Sequence, residues 1–190
     1  MALAEFFRII IFVAFSVSAS AKEVEKVNFS DDVAVGSQKL VLNGAGLRTK
    51  RKIGINFKVY VGGLYLAKKT DDAKAIIATD DAKVLRLVLL RSVDKDTMQE
   101  AMSEAFDKNC KVECDKMKDK IKAFNDLMVP LKEGSEITMT FEKDGVKVDA
   151  KGKESKAGKV DSAAFSKNML AAFLGDEPPT PEFKAALLGK

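Results

Sequence analysis

Apolar and polar residues follow a strand-like order over much of the chain. Phe57–Leu66 is rich in β-branched and aromatic residues, and Lys83–Arg91 is an almost continuous apolar run. Such a run predicts a strand buried on both faces, at the centre of a sheet with helices on one side. Ile137–Phe141 and Val146–Ala150 alternate with period two around a Lys-Asp-Gly turn, which predicts an antiparallel hairpin with one solvated face.

Other segments predict shorter strands and an exposed connection. The strand-like pieces lie around Val24–Phe29 and Lys39–Leu42. Lys151–Lys159 is polar and contains glycine, which favours an exposed turn.

Apolar residues three and four positions apart predict two helices in the middle of the chain. Asp94 or Asp96 is the expected N-cap of the first. Its apolar stripe consists of Met98, Ala101, Met102, Ala105 and Phe106. The second helix has its stripe at Met117, Ile121, Phe124 and Met128, and ends before Pro130.

Three further helices are predicted outside this pair. They cover Ala73–Ala78, the segment from Ser162 to Gly175, and Glu182–Leu188. Strands, helices, strands and helices in this order predict an α+β fold, with an antiparallel β-sheet covered on one face by helices.

The first 21 residues have the order of a secretory signal peptide. Met1–Arg8 precedes the apolar run Ile9–Phe15, and Ala19-Ser20-Ala21 has the small-residue pattern of a cleavage site. The run is too short for a spanning helix. We expect cleavage after Ala21, a periplasmic or secreted protein without a membrane span, and a single mature domain at residues 22–190. An uncleaved amphipathic anchor is the alternative.

Composition excludes several kinds of site. Histidine is absent, which rules out Ser-His-Asp and Cys-His catalysis and histidine-ligated zinc or haem. A haem would need Tyr, Met or Cys as its axial ligand, so we expect neither a metal nor another cofactor. The net charge is +4 and the lysines are spread along the chain, which does not suit a nucleic-acid partner.

The two cysteines are Cys110 and Cys114, four positions apart. In an oxidising compartment such a pair favours a disulfide, placed here at the corner between the two central helices. Free thiols and a redox-active pair are the alternatives, although the spacing differs from the Cys-x-x-Cys of redox proteins.

Arg48 and Tyr60 are the most informative candidate site residues. Gly44-Ala45-Gly46 is interpreted as a turn that presents Arg48, and Tyr60 follows twelve residues later in a strand. A guanidinium and a phenol at the mouth of an apolar fold are suited to anchoring the polar end of an amphipathic ligand. The alternative is a hairpin with a solvated arginine and a core tyrosine.

These segments, in their order, resemble the chalcone isomerase fold, from about Phe29 to Leu188. The resemblance rests on Gly44–Arg48, on Phe57–Leu66, on the helix pair and hairpin, and on Phe173-Leu174-Gly175-Asp176-Glu177-Pro178. More narrowly, the chain is similar to the bacterial chalcone isomerase-like proteins, which are often exported.

The resemblance also implies roles for individual residues. The enzymes' cleft arginine matches Arg48, and the hydroxyl residue of the penultimate helix matches Ser166. Tyr60 stands where the enzymes have threonine, Met98 where they have tyrosine, and Ala105 where they have asparagine. Tyrosine at this threonine position is the pattern of non-catalytic, fatty-acid-binding members, in which an arginine and a tyrosine hold a carboxylate.

Three functions are therefore considered. The first is a non-catalytic periplasmic binder of a small amphipathic or apolar ligand such as a fatty acid, anchored by Arg48 and Tyr60. Ser166 would belong to the same site, and the tail would lie among apolar residues that include Met98, Met102 and Phe106. The second is an intramolecular lyase of the chalcone isomerase type, with Arg48 stabilising negative charge. The third is an envelope interaction protein without a ligand.

Overall fold

The computed structural model describes residues 21–110 and 114–190. Apart from Ala21, the expected signal peptide lies outside the described residues. The strands are β1 (Ala21–Val24), β2 (Val27–Ser30), β3 (Asp32–Val35), β4 (Gln38–Lys52), β5 (Ile55–Leu66), β6 (Lys83–Leu89), β7 (Glu136–Glu142), β8 (Gly145–Lys151) and β9 (Ser155–Asp161). The helices are α1 (Ala73–Ala78), α2 (Lys95–Asn109), α3 (Lys118–Asp126), α4 (Ala163–Leu174) and α5 (Pro181–Leu187), and a 3-10 turn precedes α3 at Cys114–Met117.

Strands β3 to β9 form one antiparallel sheet in the order of the sequence. β6 is the fourth of these seven strands and is buried along both faces, as its apolar run predicts. β7 alternates between buried and half-buried residues and pairs with β8 in the expected hairpin. The α+β fold is therefore confirmed, with the helices packed on one face of the sheet.

A separate hairpin covers part of the other face. β1 and β2 pair only with each other among the described strands, and Phe29 of β2 is completely buried with Leu40, Val61 and Tyr65 of the sheet. Arg86 of β6 holds this hairpin, because its Nη1 donates to the Asn28 carbonyl at 3.0 Å.

The prediction that Gly44-Ala45-Gly46 is a turn is wrong, because these residues lie inside the long strand β4. The glycines are needed for a close approach to α5. A Cβ on Gly44 would lie 2.8 Å from the Leu187 carbonyl oxygen, and one on Gly46 would collide with Ala186. The chain instead turns at Ile53-Gly54, between β4 and β5.

The prediction of an exposed turn over Lys151–Lys159 is also wrong. β8 continues to Lys151 and β9 begins at Ser155, so only the residues between them form the turn. β9 is the edge strand, and most of its side chains are exposed. Backbone pairing therefore makes it a strand without an apolar pattern.

The helix signals locate the helices with small differences in their ends. Asp94 caps α2 as expected, and Ser162, where the predicted segment begins, caps α4; each accepts a hydrogen bond from a backbone N–H group in the first turn. α3 ends at Asp126, earlier than the predicted stop at Pro130, so Met128 lies beyond the helix. Cys110 and Cys114 form a disulfide between the end of α2 and the 3-10 turn.

Candidate functional site

A cavity of about 480 Å³ opens between the outer part of the β4–β5 hairpin and α2. This volume lies within the roughly 300–1,000 Å³ typical of small-molecule sites. Arg48 and Tyr60 both line it, together with residues of the β6–α2 connection, α2 and α4. The cavity is therefore the place where the two sequence-predicted anchor residues meet.

Arg48 and Tyr60 are direct partners across the β4–β5 ladder. The guanidinium carbon of Arg48 lies 5.6 Å from the centre of the Tyr60 ring, within the range of a cation–π contact. The Arg48 Nε is fully buried and has no hydrogen-bond partner among the described residues. A buried donor without a partner is costly, so a bound acceptor that reached this N–H group would remove an energetic penalty.

Tyr60 supplies a protonated phenol. It is buried, and its ring packs edge to face on Phe183 with the ring centres 5.4 Å apart. Burial raises the pKa of Tyr60 to about 12, against the smaller opposing effect of the Arg48 charge. The hydroxyl therefore stays a hydrogen-bond donor at neutral pH, and it acts beside a permanent cation.

A β-bulge determines which residues of β5 face the cavity. Arg48 pairs with Tyr60 while Thr49 pairs with Lys58, so Val59 is the extra residue on β5. In a regular ladder, Lys58 would face the same side as Tyr60. With the bulge, Phe57 lines the cavity, and Lys58 pairs with Glu25 of the β1–β2 hairpin.

Two more cations line the cavity, Lys50 and Arg91. Arg91 lies over the Phe57 ring, with its guanidinium carbon 5.3 Å from the ring centre. In the described part of the chain, no carboxylate forms an ion pair with Arg48, Lys50 or Arg91. The polar end of the cavity is therefore a positive field suited to an anion.

Asp94 is the acidic residue that lines the cavity beside these cations, and its carboxylate already accepts hydrogen bonds from the protein. Its carboxylate accepts hydrogen bonds from the Thr97 N–H and hydroxyl, both at 2.8 Å. The Thr97 backbone N–H and then its hydroxyl hold the pKa of Asp94 below its usual range. Asp94 thus caps α2 and reduces the positive charge of the cavity only in part.

Sequence reasoning missed Lys50 and Arg91. Lys50 is two residues beyond Arg48 on the same strand, so strand alternation would have placed it on the same face. Arg91 follows the apolar run of β6 directly, but nothing in the sequence shows that this end of β6 lies beside Phe57.

Met98 and Met102 of α2 line the cavity, as do Ala101, Ala105 and Phe173. Phe106 does not line it, because its ring stacks on Phe165 at 5.3 Å between centres, deeper in the core. Ala105 has no polar side-chain atom, so the inner wall is apolar at the position where the resemblance puts an asparagine.

Ser166 does not belong to this cavity either. Its hydroxyl donates to the Glu142 carbonyl at 3.1 Å, at the end of β7. Phe173, seven residues later, lies two turns of α4 further along, about 10 Å away along the helix axis. The resemblance matches Ser166 by its position in the helix. In the structure, this position lies on the part of α4 that is away from the cavity and from Arg48.

None of the described helices is both long enough and apolar enough to span a bilayer.

Comparison with known proteins identifies the family. The family model described as chalcone isomerase-like matches residues 21–189. No curated protein matches the chain by sequence. Among solved structures, the chain is similar to the Arabidopsis thaliana fatty-acid binding protein AtFAP1, with a TM-score of 0.68 and 19% sequence identity. The similarity covers 89% of this chain and 96% of AtFAP1. The fold and the match over nearly the whole described chain show that this protein belongs to the chalcone isomerase-like family.

Proposed function

We propose that the protein is a non-catalytic binder of a small amphipathic anion, such as a fatty acid. One observation carries the proposal: Arg48, whose Nε has no hydrogen-bond partner in the described chain, lines a cavity together with Tyr60. A carboxylate at this point would accept from both the guanidinium and the phenol. Each charge-assisted hydrogen bond would contribute about 1.5–3 kcal/mol.

The rest of the cavity fits the two ends of such a ligand. Lys50 and Arg91 add positive charge on the side of Arg48. Met98 and Met102 offer flexible apolar side chains that adapt to an alkyl tail. A similar fold in AtFAP1, whose name is that of a fatty-acid binding protein, supports the same ligand class.

The cavity wall favours binding over turnover. Met98 and Ala105 line the cavity where the family's enzymes are expected to have a tyrosine and an asparagine. Neither side chain can position a reacting oxygen or exchange a proton. Arg48 and Tyr60 would hold negative charge on a ligand, and these two positions add no group that orients it for reaction.

We also propose that the protein acts after export, with cleavage following Ala21. The disulfide between Cys110 and Cys114 supports an oxidising compartment. The mass of the protein recovered from a periplasmic or culture fraction tests this, because cleavage removes residues 1–21. An intact N-terminus in that fraction would contradict it.

The test of binding is the identity of ligands that copurify with the protein. We expect mass spectrometry of solvent extracts to detect long-chain carboxylates, and the Arg48→Ala variant to lose most of them. Lys74→Ala is the matched control, because Lys74 is an exposed residue of α1 outside the cavity lining. Equal ligand content in all three proteins, or turnover of a chalcone that depends on Arg48, would overturn the proposal.

A further inference from the structure

The tip of the β4–β5 hairpin exposes two isoleucines. Ile53 is 91% exposed and Ile55 is 59% exposed, and they are the large hydrophobic residues that remain exposed in the described chain. Single exposed apolar residues are ordinary on protein surfaces. Two of them at the tip of one projecting hairpin form a small apolar surface without a covering element.

The backbone at this tip is unfavourable for isoleucine. Ile53 has φ +50° and Gly54 has φ +75°, so both central residues of the turn are left-handed. This is the geometry that Asn-Gly adopts readily and that a β-branched residue adopts at a cost. An apolar side chain is therefore kept at a position where folding alone favours a small polar one.

The hairpin extends beyond the rest of the sheet. β4 pairs with β3 only up to Val41, and β5 pairs with β6 only from Tyr60 onward. Residues 49–58 thus form a two-stranded ribbon whose ladder is made by β4 and β5 alone. Its tip is free to meet a surface without a clash from neighbouring strands.

The ribbon is also strongly cationic. Residues 49–58 contain three lysines and one arginine and no acidic residue. Lys58 forms an ion pair with Glu25, whereas neither Lys50 nor Arg51 has one with any carboxylate of the described residues. Apolar side chains at a tip with cations behind them match the layers of an anionic bilayer, in which phosphates lie above the acyl region.

We propose that this ribbon docks the protein on the surface of an anionic lipid bilayer. Ile53 and Ile55 enter the boundary between headgroups and acyl chains, while Lys50 and Arg51 lie against lipid phosphates. Two side chains on a convex tip offer far less area than the roughly 800 Å² per partner that a stable protein interface buries. A combination of a small apolar insertion and a basic patch is sufficient for reversible membrane binding.

Docking would also bring the cavity to the membrane. Lys50 and Phe57 belong to the ribbon and line the cavity near Arg48. A docked ribbon therefore holds the cavity mouth beside the lipid surface, where an amphipathic ligand can enter or leave. Exchange of a ligand with the membrane rests on the proposed function, whereas docking on the membrane does not.

The experiment measures cosedimentation with vesicles, using the chain from Ala21 onward, which contains every described strand and helix. We expect binding to phosphatidylcholine vesicles that contain phosphatidylglycerol, little binding to phosphatidylcholine alone, and release at about 0.5 M salt. The double variant Ile53→Asn/Ile55→Ser should bind the anionic vesicles at least roughly tenfold more weakly. Asparagine tolerates the left-handed turn, so the loss cannot be attributed to unfolding.

Two charge-reversal variants test whether binding depends on the charge of the ribbon or only on the net charge of the protein. Arg51→Glu should weaken binding to anionic vesicles by roughly tenfold or more, and Lys74→Glu, with the same change of net charge on α1, by much less. Arg48→Ala should still bind vesicles, so failure of the ligand proposal is separable from failure of this one. Equal binding by all variants, no binding by the parent, or self-association that depends on Ile53 and Ile55 without vesicle binding would overturn the inference.

Discussion

Arg48 lies opposite Tyr60 in the β4–β5 ladder, with its guanidinium carbon 5.6 Å from the tyrosine ring centre and its Nε buried without a partner in the described chain. Arg86 shows the contrasting arrangement, because its Nε and Nη2 both donate to the carboxylate of Glu136. Arg86 holds the fold, whereas the hydrogen-bonding capacity of Arg48 remains available at the cavity.

Substitutions of the two arginines should therefore affect different properties, affinity for Arg48 and stability for Arg86. We expect Arg48→Ala to weaken fatty-acid affinity by roughly 10- to 100-fold, because one or two charge-assisted bonds are lost. Arg48→Lys should restore part of the affinity, since it keeps the charge without the planar fork. Arg86→Ala should lower the free energy of unfolding by about 1–3 kcal/mol and leave the affinity of the folded protein unchanged. Calorimetric titration with denaturant unfolding measures both, and equal affinity of Arg48→Ala would contradict the anchor.

Tyr60 should titrate far above an ordinary tyrosine. The chain has two tyrosines and no tryptophan, so Tyr65→Phe leaves the ultraviolet absorbance of one phenol to follow. We expect its midpoint at about 12, because burial raises the pKa of Tyr60, and a higher one after Arg48→Ala because a stabilising cation is gone. A midpoint near 10 in the folded protein would show that Tyr60 is not buried.

The same pKa shift links Tyr60 to stability. Since the folded pKa is above the unfolded value of 10.0, the contribution is fully present below pH 10 and is lost as pH rises toward about 12. Tyr60→Phe should therefore flatten the decline of the free energy of unfolding in that interval. Denaturant titrations of both proteins at alkaline pH measure the difference.

Asn43 should be important for stability. It is the extra residue of a second bulge, on β4, and its side chain donates to the Leu187 carbonyl and accepts from the Thr70 N–H, both at 2.8 Å. Asn43→Ala would leave the carbonyl of the buried residue Leu187 without this donor and should cost about 1–3 kcal/mol. Asn56→Ala is the matched control, since Asn56 is exposed on the ribbon and should change the unfolding midpoint little.

The disulfide should stabilise the protein modestly without affecting the site. It closes a loop with a sequence separation of 4, for which chain entropy gives about 2 kcal/mol. The Cys110→Ser/Cys114→Ser variant should therefore melt at a lower temperature and bind fatty acid as tightly as the parent, because neither cysteine lines the cavity. A large loss of affinity would show that the α2 end positions Met98 and Met102.

The strained turn predicts a substitution that increases stability. Ile53→Asn should raise the free energy of unfolding by about 1 kcal/mol, because asparagine adopts positive φ more readily than a β-branched residue. Ile55→Asn, at an exposed strand position without this backbone conformation, should not. Denaturant unfolding of both variants provides the comparison, and no gain from Ile53→Asn would contradict the left-handed assignment of this residue.

The sequence predicts those parts of the structure in which burial controls the choice of residue. The apolar run of β6 and the alternation of β7 reflect which faces are covered, so the pattern is visible. β9 buries only Val160 among its seven residues, and one buried side chain leaves no such pattern. Gly44 and Gly46 have the sequence of a turn, because local sequence cannot show that α5, about 140 residues away, needs the space above them.

The candidate site was predictable to a similar extent. Arg48 and Tyr60 are a chemically specific pair, and their separation of twelve residues is compatible with pairing across a hairpin. Arg91 reaches the cavity only because the end of β6 lies beside Phe57, and Ser166 is kept away by the direction of α4. Both depend on the relative placement of elements, which a motif does not encode.

The bulge at Val59 has an evolutionary consequence. Because the ladder already leaves this residue unpaired with β4, deleting its codon would shorten β5 while Tyr60 and Phe57 kept facing the cavity. A homologous chain that lacks this residue can therefore keep both side chains on the cavity wall, although it loses the Val59 side chain, which also lines the cavity. In such a chain, an alignment that places Tyr60 by counting from Phe57 will misassign the anchor.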